Sequence, residues 1–163
     1  MERGQSPRRI LFAILSQFGY IDLMLKTLRE DGPQHVYNLE TNGILINVFP
    51  TFVPERSAPE NDYFFFAYKV TITNLSGVGL KLINRHWIIK DGHKKERFIN
   101  GEGVVGQRPL IEAGDEFEYQ SFCPLDTPTG NMRGKFEFTD EEDNRFWAPV
   151  PLFFFRTPES FAH

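Results

Sequence analysis

Three glycines in the spacing G-x-G-x-x-G, Gly101, Gly103 and Gly106, follow an apolar run and stand in a segment that also carries Arg85, Arg97 and Arg108. Glycine lets backbone approach an anion closely. Successive main-chain N–H groups with guanidinium groups beside them make a cradle for phosphate. In dinucleotide-binding folds the same spacing opens a helix whose N-terminus faces the pyrophosphate. Gln107-Arg108-Pro109 works against such a helix here, because proline pushes the residue before it toward extended geometry. These six residues are therefore the candidate site for a phosphate, nucleotide or other pyrophosphate-type anion held without a dinucleotide helix. The simpler role of the glycines is to supply positive φ or close backbone approach in a loop between strands.

Other reactive side chains offer less. His86 and Trp87 are neighbours in a strand-like run and must face opposite ways, which makes Trp87 the core candidate. His86 is then an outward polar residue, with a ligand or general base as the alternatives. Cys123 is the single cysteine, so no intrachain disulfide forms and a reducing compartment suits the composition. Its neighbours Phe122 and Pro124 mark it as a small core hydrophobe, with a reactive thiol as the alternative. His35, His86, His93 and His163 show no metal-ligand spacing. The run Asp140 to Asp143 reads as a solvated hairpin turn, with weak divalent-cation binding as the alternative. No nucleophile elbow or helix-borne metal pair is present. The expectation is a chain without metal, cofactor or catalytic residues.

With 18 basic against 22 acidic residues the net charge is -4, which gives no global pull toward nucleic acid or an anionic membrane. The apolar run Ile10 to Leu15 is far short of a membrane span. Arg8 and Arg9 precede it, but no small-residue cleavage pattern follows. The cytoplasm is the expected location, and an organelle import sequence is the alternative.

Two hydrophobic periods divide the chain. Leu11, Ile14, Phe18, Ile21, Leu25 and Leu28 step by three and four, which predicts a short helical appendage over residues 1–36, ended by Asp31-Gly32-Pro33. After Tyr37 the period becomes two. Ile44 to Phe49, Tyr63 to Thr73, Leu80 to Lys90, Asp115 to Phe122, Gly134 to Thr139 and Val150 to Phe155 read as strands, with turn residues between them. Within the second run, Phe64, Phe66, Tyr68, Val70 and Ile72 take the core face, while Phe65, Ala67, Lys69, Thr71 and Thr73 take the other. Pro50 to Asp62 reads as a surface loop. No long helix separates the strands, so the fold class is mainly β, an antiparallel two-sheet β-sandwich over residues 37–156 with a tail over 157–163.

Several blocks together carry a family resemblance: T-N-G-I-x-I-x-V-x-P (Thr41 to Pro50), F-A-Y-K-V-T-I-T-N (Phe66 to Asn74), R-H-W-I-I-K-D-G (Arg85 to Gly92), G-E-G-V-V-G-Q-R-P (Gly101 to Pro109), E-A-G-D-E-F-E-Y (Glu112 to Tyr119) and L-D-T-P-T-G-N-M-R-G (Leu125 to Gly134). In this order the chain resembles the ApaG family over about residues 37 to 156. The resemblance implies a fold similar to fibronectin type III. It implies two kinds of role: phosphate or nucleotide binding together with a link to divalent-cation tolerance, suggested for stand-alone bacterial members, and protein binding, as in eukaryotic relatives beside F-box or polymerase-interacting regions. Phe122-Cys123-Pro124 departs from the pattern, which more usually has small residues there.

The expectation is thus a non-catalytic binding module that mediates protein–protein interaction, with the anion receptor as the alternative. The candidate interface residues are Leu11, Phe18 and Leu25 on the helical seam and Phe153 and Phe155 on the last strand. Both surfaces also suit self-association into a homodimer.

Overall fold

A computed structural model describes residues 35–158 of the chain. The helical appendage, with Leu11, Phe18 and Leu25, lies outside these residues. The alternating apolar runs form nine strands: β1 (Tyr37–Thr41), β2 (Ile44–Phe52), β3 (Phe64–Asn74), β4 (Leu80–Asp91), β5 (Glu96–Glu102), β6 (Leu110–Ile111), β7 (Glu116–Leu125), β8 (Thr129–Thr139) and β9 (Arg145–Arg156). They make two antiparallel sheets, β1-β2-β3-β7 and β5-β4-β8-β9, with the short β6 paired to β4.

The core is the space between the sheets. Ile46 and Val48 of β2 stand opposite Ile72 and Val70 of β3, and all four are fully buried. Aromatic rings fill the rest. Trp87 meets Phe136 and Phe153 edge-on, with centroids 5.5 Å and 6.1 Å away, and Tyr68 at 6.0 Å. Phe155 packs on Phe66 at 5.0 Å. Such tilted contacts suit the ring quadrupole and add to the burial of large apolar surface.

Phe153 and Phe155 are core residues with no exposed surface, so they are not interface residues. The physical reason is a bulge. Register shifts between Met132 and Gly134 of β8, where Pro151 and Leu152 of β9 face the single residue Arg133. The extra residue switches which parity of β9 points inward: Ala148 and Val150 before it, Phe153 and Phe155 after it. Leu152 and Phe154 face out instead.

Phe65 and Ala67 are likewise buried, although they face away from the sandwich interior. Two single-turn 3₁₀ helices, Pro54–Arg56 and Pro59–Asn61, fold over that side of β3. Ser57 Oγ accepts the Phe65 N–H at 2.8 Å, Arg56 lies over the Phe65 ring, and Phe122 stacks on it at 5.3 Å. The loop expected over Pro50 to Asp62 is thus partly strand and partly a lid on the outer face of the first sheet.

Each sheet has two edge strands, and they differ in how they are protected. β1 is five residues long. β9 carries Pro149 and Pro151, which cannot donate to a ladder, and Tyr37 of β1 packs its ring against Phe153 and Phe154. β7 carries Pro124, and most of its residues are partly or fully covered. Among the described residues, β5 has neither proline nor a covering side chain like that of Tyr37 on β9.

Candidate functional site

β4 and β5 form a hairpin in which β4 carries core residues and β5 is the exposed edge strand. Asp91 Oδ1 accepts the N–H groups of His93 and Lys95, both at 2.9 Å, and Lys94 takes a positive φ of 67° to close the turn. The register runs from Lys90 opposite Glu96 to Asn84 opposite Glu102. Strand alternation then puts Glu96, Phe98, Asn100 and Glu102 on the outer face with His86 and Ile88, and Arg97, Ile99 and Gly101 on the inner face with Trp87 and Ile89. Every residue of β5 is exposed except Gly101, which is half-buried. Phe98 is 61% exposed and Ile99 39%, large values for apolar side chains in a sheet.

The glycine segment continues from this strand. Gly101 is the cross-strand partner of Arg85, and a Cβ there would stand 2.9 Å from the guanidinium carbon. Arg85 lies in the space a side chain would occupy and donates from Nη1 to the carbonyls of Glu102 (2.9 Å) and Gly103 (2.8 Å). Gly103 has φ +60°, and its N–H donates to the Ile83 carbonyl at 2.8 Å. Val104 and Gln107 exchange two hydrogen bonds, at 2.8 and 2.9 Å, around Val105 and Gly106, whose φ values of 44° and 78° close a tight hairpin turn. Arg108 pairs with Glu102.

The structure therefore brings Arg85 and Arg108 to the glycines but sends Arg97 elsewhere. Arg97 lies four residues from Gly101 along an extended strand, about 13 Å, and reaches across to the other sheet. Its Nη2 donates to the Pro124 carbonyl at 2.9 Å and lies 3.8 Å from Cys123 Sγ. A nest for an anion needs free N–H groups, whereas that of Gly103 is spent on β4 and those of Val104 and Gln107 on each other. The geometry is that of a turn that locks β5 to Arg85.

An open cleft of about 490 Å³ lies on the outer face of the second sheet, lined by Asn84, Arg85, His86, Asn100, Gly101, Glu102, Lys135 and Trp147. Several of its polar groups already have partners. His86 Nδ1 meets Asn100 Oδ1, Asn84 Nδ2 donates to Glu137 Oε2 at 2.7 Å, and Lys135 Nζ stands 4.6 Å from the centre of the Trp147 ring. His86 thus takes its expected place as an outward, hydrogen-bonded residue, and Trp87 is in the core at 2% exposure.

Beneath the hairpin the titratable groups are hydrophobic in character. Burial pushes the Cys123 thiol up to about 11 against a smaller opposing pull from Arg97, and pushes Tyr68 up to about 12. Burial likewise raises Tyr119, whose hydroxyl has no hydrogen-bond partner. The native state therefore keeps Cys123 protonated where the unfolded chain, titrating near 9.0, begins to ionise. Its contribution to stability is full below pH 9 and is lost as pH rises toward about 11. Labelling by iodoacetamide at pH 7.5 should accordingly be slow in the native protein and rise steeply in denaturant. Complete labelling of folded protein within the time a free thiol needs would contradict this placement.

Asp140 caps the turn between β8 and β9, accepting from Glu142 and Asn144, and these bonds, led by those from Asn144, hold its carboxyl below the usual range. The acidic run is a hairpin turn as expected. Among the described residues no group of three or more His, Cys, Asp or Glu side chains is placed to hold a metal ion, and no helix is long and apolar enough to cross a membrane.

Phe98 and Ile99 escape a reading by periodicity because charged residues and Gly101 flank them. The available signal is local: Asp91-Gly92 is a turn dipeptide, and Arg97-Phe98-Ile99-Asn100 after it is the length of a returning strand.

Comparison with known proteins agrees with this architecture. The profile of the ApaG domain family matches residues 54–140. Protein ApaG of Dechloromonas aromatica is 41% identical over 123 residues, which cover 74% of this chain and 97% of the relative. Protein ApaG of Bdellovibrio bacteriovorus is 45% identical over 107 residues, 66% of this chain and 84% of the relative. A solved ApaA protein structure from Bordetella pertussis is 40% identical, covers 78% of this chain and 99% of its own, and superposes with a TM-score of 0.70.

Proposed function

The chain belongs to the ApaG domain family, and from that premise we propose that it is a non-catalytic binding module whose ligand is another protein, received along the edge of β5. One observation carries this reading. β5 is a seven-residue edge strand, exposed along its length, that presents Phe98 at 61% and Ile99 at 39% exposure without the proline or covering ring found on β9. A bare edge offers unpaired N–H and C=O groups, and natural sheets keep such edges blunted unless something pairs with them. Aromatic and aliphatic side chains beside it supply the apolar contact that a protein interface needs at its centre.

The anion receptor finds less support. Arg85, Arg97 and Arg108 each have a partner within the protein, and an anion at Gly101 to Gly106 would have to displace them.

Affinity capture tests the reading with the full chain and with a Phe98→Lys/Ile99→Lys variant, since lysine on an edge opposes strand addition. Proteins retained by the first should be lost from the second, with thermal melting unchanged to within a few degrees. Retention of the same proteins by both would move the interface away from β5.

A further inference from the structure

The open edge has a charge as well as a shape, and together they define the chemistry of what binds it. The hairpin from Arg85 to Glu102 carries five Lys and Arg residues, Arg85, Lys90, Lys94, Lys95 and Arg97, against three carboxylates, Asp91, Glu96 and Glu102, in a chain whose net charge is -4. The carboxylates are answered. Glu96 pairs with Arg133 at 3.2 Å, Glu102 pairs with Arg108, and Asp91 caps its own turn. The two arginines behind the strand are differently placed. Arg85 donates to main-chain carbonyls, and Arg97 to a carbonyl with a thiol beside it. A carbonyl satisfies a donor without cancelling its charge. The inner side of the β5 edge therefore keeps a positive field that no carboxylate of the hairpin neutralises.

We infer that the partner of β5 is an extended acidic segment that adds a strand to the second sheet, with a carboxylate opposite Arg97 and apolar residues opposite Phe98 and Ile99. This assignment rests on the reading of β5 as a protein-binding edge and adds the partner's sequence character to it. Strand addition is the mode in which main-chain hydrogen bonds supply affinity while alternate side chains are read by the two faces. On the inner face the sequence of β5 is Arg97, Ile99, Gly101, and on the outer face Glu96, Phe98, Asn100. An antiparallel partner meets these in reverse order, so three successive residues read apolar, apolar, acidic, opposite Ile99, Phe98 and Arg97. A basic residue at the third position would face Arg97 and Lys95 and be repelled. Beyond the third position the exposed Lys94 and Lys95 favour further acid. The edge thus distinguishes partners by charge as well as by the capacity to be extended.

The probe is a synthetic octapeptide, Thr-Ser-Thr-Ile-Val-Glu-Thr-Ser-amide, labelled at its N-terminus with tetramethylrhodamine; the full chain is titrated into it at low salt and binding is read by fluorescence anisotropy. Three comparisons decide the matter. Glu→Lys in the peptide should weaken binding about tenfold, and raising salt to 0.5 M should remove most of that difference. The protein variant Arg97→Glu should reverse the preference, binding the Lys peptide better than the Glu peptide. That rescue also shows that the variant is folded even though it loses the bond to Pro124. N-methylation of alternate peptide amides, which removes donors and leaves charge intact, should abolish binding. If the N-methylated peptide binds as well as its parent, strand pairing at β5 is wrong and the functional reading falls with it. If only the unmethylated peptides bind but Glu and Lys versions bind alike, edge pairing stands and the acidic class is wrong.

Discussion

Replacing Trp87 with alanine should lower the free energy of unfolding by about 3–5 kcal/mol, a large part of the roughly 5–15 kcal/mol that holds a domain of this size. Trp87 is 2% exposed and sits where both sheets converge. Its ring touches Tyr68 of the first sheet and Phe136 and Phe153 of the second, so truncation empties the centre of the aromatic cluster and opens a cavity that rigid β-strands on both sides cannot collapse to fill. The outward Trp147 provides the comparison. At 40% exposure, with one face under Lys135, it should cost no more than about 1 kcal/mol when replaced by alanine. Urea unfolding followed by far-ultraviolet circular dichroism distinguishes the two. Equal midpoints would mean that the aromatic cluster is not the energetic centre of the sandwich.

The second large effect is expected at a residue with no side chain. Gly134 of β8 stands opposite Trp87 of β4, beside the bulge in β9, and a Cβ on it would lie 2.2 Å from the His86 carbonyl oxygen and 2.7 Å from Trp87 Cε3. Neither neighbour can yield. The first is backbone in the middle of a paired strand, and the second is the ring on which the core is built. Gly134→Ala should therefore destabilise by about 3 kcal/mol, the upper end of ordinary overpacking, with both β4 and β8 displaced. Gly77, which has nothing within 4 Å of its would-be Cβ and an ordinary φ, is the control. Its alanine variant should melt within a degree or two of the parent, because reduced backbone freedom in the unfolded chain offsets any local cost. A Gly134→Ala protein as stable as the Gly77→Ala protein would show that the two strands approach less closely than described.

The sandwich was legible because its strands are long, aromatic and bounded by turn residues. Ile44 and Ile46, Val70 and Ile72, and Trp87 and Ile89 lie on the face that alternation assigns to them. What escaped was non-local. The burial of Phe65 depends on a 3₁₀ segment folding back over β3, and the inward turn of Phe153 and Phe155 depends on one extra residue in β9. A period of two carries no information about either, since a single bulge exchanges the two faces of everything after it. β5 was hidden for another reason. An exposed edge strand has no apolar alternation to display, and Glu96, Arg97, Asn100 and Gly101 make it look like loop.

The candidate site was legible in its residue types but not in its arrangement. Gly101, Gly103 and Gly106 do what a loop between strands requires, and two of them owe their identity to close neighbours: the Arg85 guanidinium at Gly101, and the Gln107 carbonyl, 2.0 Å from a would-be Cβ, at Gly103. Arg97 could not be placed from sequence. Its bond to Pro124 joins the edges of two different sheets, and only the tertiary fold sets those edges side by side.

Amide chemical-shift mapping of the full-length, nitrogen-15-labelled protein titrated with the acidic octapeptide locates the binding surface residue by residue. With the partner on β5, the largest shifts fall on Glu96 to Glu102, with slowed solvent exchange at those amides and little movement from Val104 to Arg108. Shifts centred on Val104 to Arg108, with the β5 amides unchanged, would contradict this placement and return the glycine segment to the centre of function.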